Sequence, residues 1–171
     1  SNDDNVSGRV GLLPFPLAYQ EAPVSVTLYT YQSEKLTYPA DECASTMYRG
    51  FGGLEGNFCW SNSEETSVRC MLCQQDYTMT LQMGCMLDLN RLGFAQYPVT
   101  IEINGKSAGT VTVDESNNGQ SLSLDIPAAC LEDGQNIVTL RCDLWEAKKI
   151  SESDPRLLGF PLESIVFTPQ G

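Results

Sequence analysis

The chain has 171 residues, 42% hydrophobic and 19% charged, with a net charge of −12 from 22 acidic and 10 basic side chains. That composition is globular, sized for one domain and long enough to bury a core. The acidic surplus argues against nucleic acid or anionic membrane surfaces as partners, because both would repel it. The chain has no histidine, so Ser-His-Asp and Cys-His catalysis is excluded on this chain alone and the commonest metal ligand is missing.

Residues 1–22 read as an N-terminal arm, broken by Pro14 and Pro16 and followed by Pro23. Its apolar middle, Gly11 to Leu17, suits lying on the body of the protein. The chain starts at Ser1 rather than Met, without a visible signal peptide, which reads as a piece cut from a longer protein. No apolar run is long enough to insert into a membrane. Residues 23–171 are expected to form a single domain.

Val24, Val26 and Leu28 alternate with polar residues as a half-buried strand. Tyr29 and Tyr31 fall on its polar face, where a ring could stack on a sugar. Residues 39–56 read as irregular, with Gly50, Gly52, Gly53 and Gly56 crowding Glu55. Phe58-Cys59-Trp60 opens the next strand, and residues 66–73 and 77–86 give two more. Leu87 to Phe94 is a compact connector, echoed by Arg156 to Phe160. Val99, Ile101 and Ile103 lead into Asn104-Gly105, the strongest short hairpin signal, and Val111 and Val113 return from it. Strands over 121–126, 136–145 and 164–168 complete the set, with short helical turns allowed only near 87–92 and 128–133. About nine or ten strands at this spacing indicate an all-β fold, an antiparallel two-sheet sandwich of jelly-roll, galactose-binding-like type.

Seven cysteines stand at 43, 59, 70, 73, 85, 130 and 142, an odd number, so at least one has no partner within the chain. Cys70, Cys85 and Cys142 each continue an apolar face and read as small buried hydrophobes. Cys70 and Cys73 are nominally a Cys-x-x-Cys pair, but residues three apart in a strand point to opposite faces, which argues against a zinc or redox role.

Asp114, Ser116 and Asn118, with Gly119 next and Asp125 further on, match the oxygen spacing of a calcium-binding loop. Here the loop joins strands rather than helices, and Asp125 stands where such loops carry a bidentate glutamate. Calcium is therefore the one cofactor considered, against a plain polar hairpin loop. Carboxylates are plentiful, yet no spacing nominates the facing pair that a glycosidase requires. Glu55 and Arg156 stand out: both lie in glycine-bearing loops beside Trp60 and Trp145, and Asp154 precedes Arg156 by two. Arg156 is expected to pair with Glu55 or Asp154. Such a group either fixes a corner from within or lines a polar cleft for a saccharide or polyol. Glu55, Trp60, Trp145, Asp154 and Arg156 are the candidate ligand-binding residues.

The glycine-rich run with Glu55 and Trp60-Ser61, the Ile103-Asn104-Gly105 hairpin, and Asp154-Pro155-Arg156-Leu157-Leu158-Gly159 together resemble a β-sandwich domain at the extracytoplasmic end of bacterial membrane proteins. These proteins build surface glycopolymers and include glycosyltransferase-like and phosphoglycerol-transferase-like members. The resemblance spans about residues 48–168, and the arginine-bearing corner is its most specific part. Leu157 separates Arg156 from Leu158-Gly159 in the spacing associated with the family, and one departure stands out: Cys59 occupies the position where the family often has a basic residue. The resemblance implies a non-catalytic accessory domain at the bacterial cell surface, attached to a membrane protein and facing a glycan or polyol-phosphate polymer. The competing expectation is a structural or protein-interaction sandwich without a small ligand; an enzyme with paired carboxylates is the weakest reading.

Overall fold

The structure, a computed structural model, describes residues 19–28 and 48–171. Strands account for most of the described chain: β1 (Val24–Thr27), β2 (Tyr48–Arg49), β3 (Phe51–Glu55), β4 (Phe58–Ser61), β5 (Glu65–Leu72) and β6 (Tyr77–Met83) come first. After a four-residue helix, α1 (Leu89–Leu92), follow β7 (Tyr97–Ile103), β8 (Lys106–Val113), β9 (Ser121–Ile126), β10 (Gly134–Arg141), β11 (Trp145–Glu146), β12 (Leu157–Leu158) and β13 (Pro161–Pro169). Two single 3-10 turns sit at Ala128–Cys130 and Ala147–Lys149.

The strands form an antiparallel sandwich of jelly-roll type. One sheet runs β9-β6-β13-β4-β3, with β1 also on β13; the other runs β2-β5-β10-β7-β8. β13 is the spine of the first sheet. It pairs with β6 along one side, and on the other with β4 at Pro161 and Leu162 and then with β1 from Ser164 to Phe167. β11 and β12 form a separate two-stranded ribbon.

Period-2 alternation puts one face of each strand inward. Tyr77, Met79, Leu81, Ile165 and Phe167 from one sheet meet Val68, Leu72, Val99, Ile101, Ile103, Val138 and Leu140 from the other, all buried. Burying each large aliphatic side chain contributes about 1.5–3 kcal/mol. The Asn104-Gly105 turn has φ of 53° and 80° at its two residues, the left-handed pair that a tight hairpin of this twist needs. Its side chain also anchors the turn. Ile137 N donates to Asn104 Oδ1 at 2.9 Å, and Asn104 Nδ2 donates to the buried Asn136 Oδ1 at 2.8 Å.

Several expected boundaries move. Residues 51–55, read as irregular, form β3, and a register shift between Phe51 and Leu54 absorbs Gly52 and Gly53. β6 stops at Met83 rather than running to 86, because Gly84 passes over the Phe58 ring: a Cβ there would lie 2.2 Å from Phe58 Cγ. Cys85 therefore leaves the inner face and is only half-buried, while Cys70 and Cys142 are buried as expected. β10 ends at Arg141, and Cys142 N then donates to Glu64 O at 3.2 Å across the loop end. Among the described residues no helix is long and apolar enough to cross a membrane. The expected arm up to residue 18, Tyr29, Tyr31 and Cys43 lie outside the described residues.

Candidate functional site

The bend from β11 to β13 closes over β4, and its inner side is made of neutral groups. Ser61, 1% exposed, supplies three contacts to the returning strand. Its N–H donates to Phe160 O at 2.9 Å, its carbonyl accepts from Gly159 N at 2.8 Å, and its hydroxyl accepts from Phe160 N at 2.7 Å. Trp145 Nε1 donates to Gly159 O at 3.0 Å. Gly159 fits because it has no side chain: a Cβ would stand 2.2 Å from Ser61 Oγ and 3.2 Å from Cys142 Sγ. Every polar group in this knot is paired, as burial demands.

The outer side is ionic. Arg156 forks between two carboxylates: Nη1 donates to Glu55 Oε2 at 2.7 Å, Nη2 to Asp154 Oδ2 at 2.9 Å, and Nε to Asp154 Oδ1 at 3.0 Å. The Arg156 N–H also donates to Asp154 Oδ1 at 3.1 Å, so the Asp-Pro turn preforms the clamp. These hydrogen bonds hold the Asp154 carboxyl below the usual carboxylate range. They raise Arg156 further above an ordinary guanidinium, the bond to Asp154 counting most and that to Glu55 next. Three of the five guanidinium N–H groups are thereby engaged, and two point to no acceptor among the described residues.

The expected pairing is present, in both forms at once: Glu55, Asp154 and Arg156 come together. Arg156 is not held inside the corner, however; its side chain is 49% exposed and that of Glu55 38%. Exposed pairs contribute about 0–1 kcal/mol, so this fork does not fasten the bend. The two tryptophans also part company. Trp145 is buried and cannot serve as a stacking surface, whereas Trp60 is half-buried, packed edge to face on Phe58 and on Trp145 with centroids 5.7 and 5.4 Å away.

The calcium spacing does not close into one site. Asp114 Oδ1 accepts from the Ser116 N–H and hydroxyl, at 2.9 and 2.6 Å, as in an ordinary polar turn. Asn118 spends its amide on Leu87, accepting from the N–H at 2.8 Å and donating to the carbonyl at 2.6 Å. Asp125 belongs to β9, an extended strand that carries it down the sheet to Gln170 and Thr78. Among the described residues no group of three or more acidic or thiol side chains is arranged to hold a metal.

Two depressions at the loop end have no local signature in the sequence. One of about 670 Å³ is lined by Met86, Asp88, Asn90, Phe94 and Glu115 among others, and one of about 690 Å³ by Asn62, Glu64, Phe94, Asp143 and Leu157 among others. A third, of about 620 Å³, lies beside Tyr19, Gln75 and Gln170. None of the five candidate residues lines these three. The echo between residues 87–94 and 156–160 was the available signal: the first depression takes in much of the one segment, and the second takes in Phe94 and Leu157, one residue from each.

No family model matches the sequence, and no curated protein matches it. Among solved structures, the chain resembles a GH26-CBM35 β-(1,4)-mannanase from Podospora anserina, with 10% identity, a TM-score of 0.52 and coverage of 89% of this chain and 28% of that one. It aligns less closely with the CBM36-1 domain of a multidomain xylanase from the hindgut metagenome of Trinervitermes trinervoides, with 15% identity, a TM-score of 0.49 and coverage of 87% and 98%. A further match is CBM35 from Cellvibrio japonicus Abf62, with 14% identity, a TM-score of 0.48 and coverage of 88% and 95%. The likeness to the mannanase is one of fold alone, and this chain spans little more than a quarter of that protein's length.

Proposed function

We propose that this domain is a non-catalytic carbohydrate-binding module. The observation that carries the reading is the exposed Glu55–Arg156–Asp154 fork, with the half-buried Trp60 on the strand that pairs with the one carrying Glu55. Two N–H donors that meet no acceptor among the described residues, beside carboxylate acceptors, match the paired donor and acceptor character of a sugar diol. Because the donors are already positioned, little ordering is needed on binding. The fork carries two carboxylates against one guanidinium, which favours a neutral glycan over a polyol-phosphate polymer. Placement on a surface glycan-assembly protein, outside the cytoplasm of a bacterium and attached to a membrane-bound parent, rests on the sequence resemblance and is part of the proposal.

The test is titration of the domain with soluble polysaccharides and oligosaccharides, with Arg156→Met alongside. Saturable binding that Arg156→Met abolishes without unfolding supports the module. A protein-interaction role is the second reading. Met71 and Ile137, 52% and 38% exposed, are diagonal neighbours on the outer face of the β5–β10 pair and form an apolar spot there. Self-association that Met71→Lys abolishes, with no glycan bound, would favour that alternative.

A further inference from the structure

Phe94 is a wall of both loop-end depressions. It is fixed from behind. Its N–H donates to Leu89 O at 2.9 Å, closing the end of α1, where Gly93 adopts φ 82°. Its ring packs edge to face on the buried Tyr97, with centroids 5.0 Å apart. The Tyr97 hydroxyl donates to the Asp143 carbonyl, so the platform and the wall of the second depression share one anchor. A rigid, half-exposed ring with polar walls on two sides is suited to the apolar face of a sugar.

The walls also carry a charge signature. Asp88 and Glu115 line one depression and Glu64 and Asp143 the other, and among the described residues neither lining includes a lysine or arginine. Only neutral or positively charged groups would enter without repulsion. Each depression alone suits a short stretch of glycan, and the shared ring lies where one chain would cross from the first to the second.

We propose that one glycan chain free of acidic groups lies across Phe94, with sugar units in both depressions. This rests on the carbohydrate-binding reading and adds a second contact region to the Arg156 fork, with a stated charge class and a minimum length. The experiment is calorimetric titration with manno- and xylo-oligosaccharides from disaccharide to hexasaccharide, and with polygalacturonate, on the wild-type domain, Phe94→Ala, Phe94→Trp and Glu115→Lys/Asp143→Lys. Affinity should rise with length and polygalacturonate should not bind. Phe94→Ala should lose roughly tenfold on the longest chain, about one stacking interaction, and Phe94→Trp should keep it. The double lysine variant, which leaves Phe94 in place and answers even if Phe94→Ala fails to fold, should gain binding to polygalacturonate. Affinity independent of length, wild-type binding to polygalacturonate, or full binding by Phe94→Ala would overturn the crossing while leaving the module reading intact. Absence of any glycan binding by the wild type would overturn both.

Discussion

Trp145 and Arg156 flank the same bend, yet Trp145 is 6% exposed and the Arg156 side chain 49%. On the inner side, Trp145, Ser61 and Gly159 are neutral, buried and fully hydrogen-bonded. On the outer side, Glu55, Asp154 and Arg156 are charged, wet and only partly engaged. A buried polar group must be satisfied or it destabilises the fold, so the inner side is committed to structure. Exposed charges contribute little to stability because water competes for them, and that same accessibility leaves them able to meet a ligand. The difference separates what closes the sandwich from what faces outward.

The strongest way to break the inner side is Gly159→Ala. The added methyl collides with Ser61 Oγ, and the bend must shift at a cost on the order of 3 kcal/mol, which lowers the melting temperature by roughly 10 °C. Ser61→Ala is smaller. It leaves the Phe160 N–H without its side-chain acceptor and should cost about 1–3 kcal/mol in urea unfolding. Alkaline pH sharpens the comparison further. Burial pushes the Cys70 thiol up from 9.0 to about 12 and moves Cys142, beside Ser61, in the same direction. A thiol whose folded pKa is raised contributes stability that is complete below its unfolded pKa and is lost as pH climbs through the folded one. The melting temperature should therefore fall from about pH 9 toward pH 12, the window set by Cys70, and Cys70→Ser, a hydroxyl that does not titrate there, should flatten that slope. Smallest of all, millimolar calcium should leave the melting temperature unchanged, since Asn118 and Asp125 are engaged elsewhere; an upward shift would restore the loop at Asp114 as a metal site.

Much of this architecture was legible because it is written in local patterns. Alternation marked the inner faces of β6, β7 and β10, and Asn104-Gly105 marked the hairpin, since both depend on neighbours a few residues away. The meeting of Glu55 and Arg156 could be read from two shaped loops with complementary charges. Their exposure could not, because it depends on which layer of the bend each side chain occupies. Trp145 was expected at a ligand surface and is instead a hydrogen-bonded core residue, a choice made by Gly159 O lying beneath it. Ser61 ties β4 to the bend before β13, and nothing local marks it, because one serine has no periodicity to reveal it. Phe94 reads as connector in the sequence because its surroundings are assembled from segments far apart along the chain.

The division of the bend meets its most direct test in Arg156→Met, measured for thermal stability and for glycan affinity on the same preparation. The melting temperature should stay within a few degrees of wild type, since an exposed pair contributes at most about 1 kcal/mol, while binding of a neutral oligosaccharide is lost. Unfolding of the variant, or unchanged glycan binding by a folded one, would contradict it.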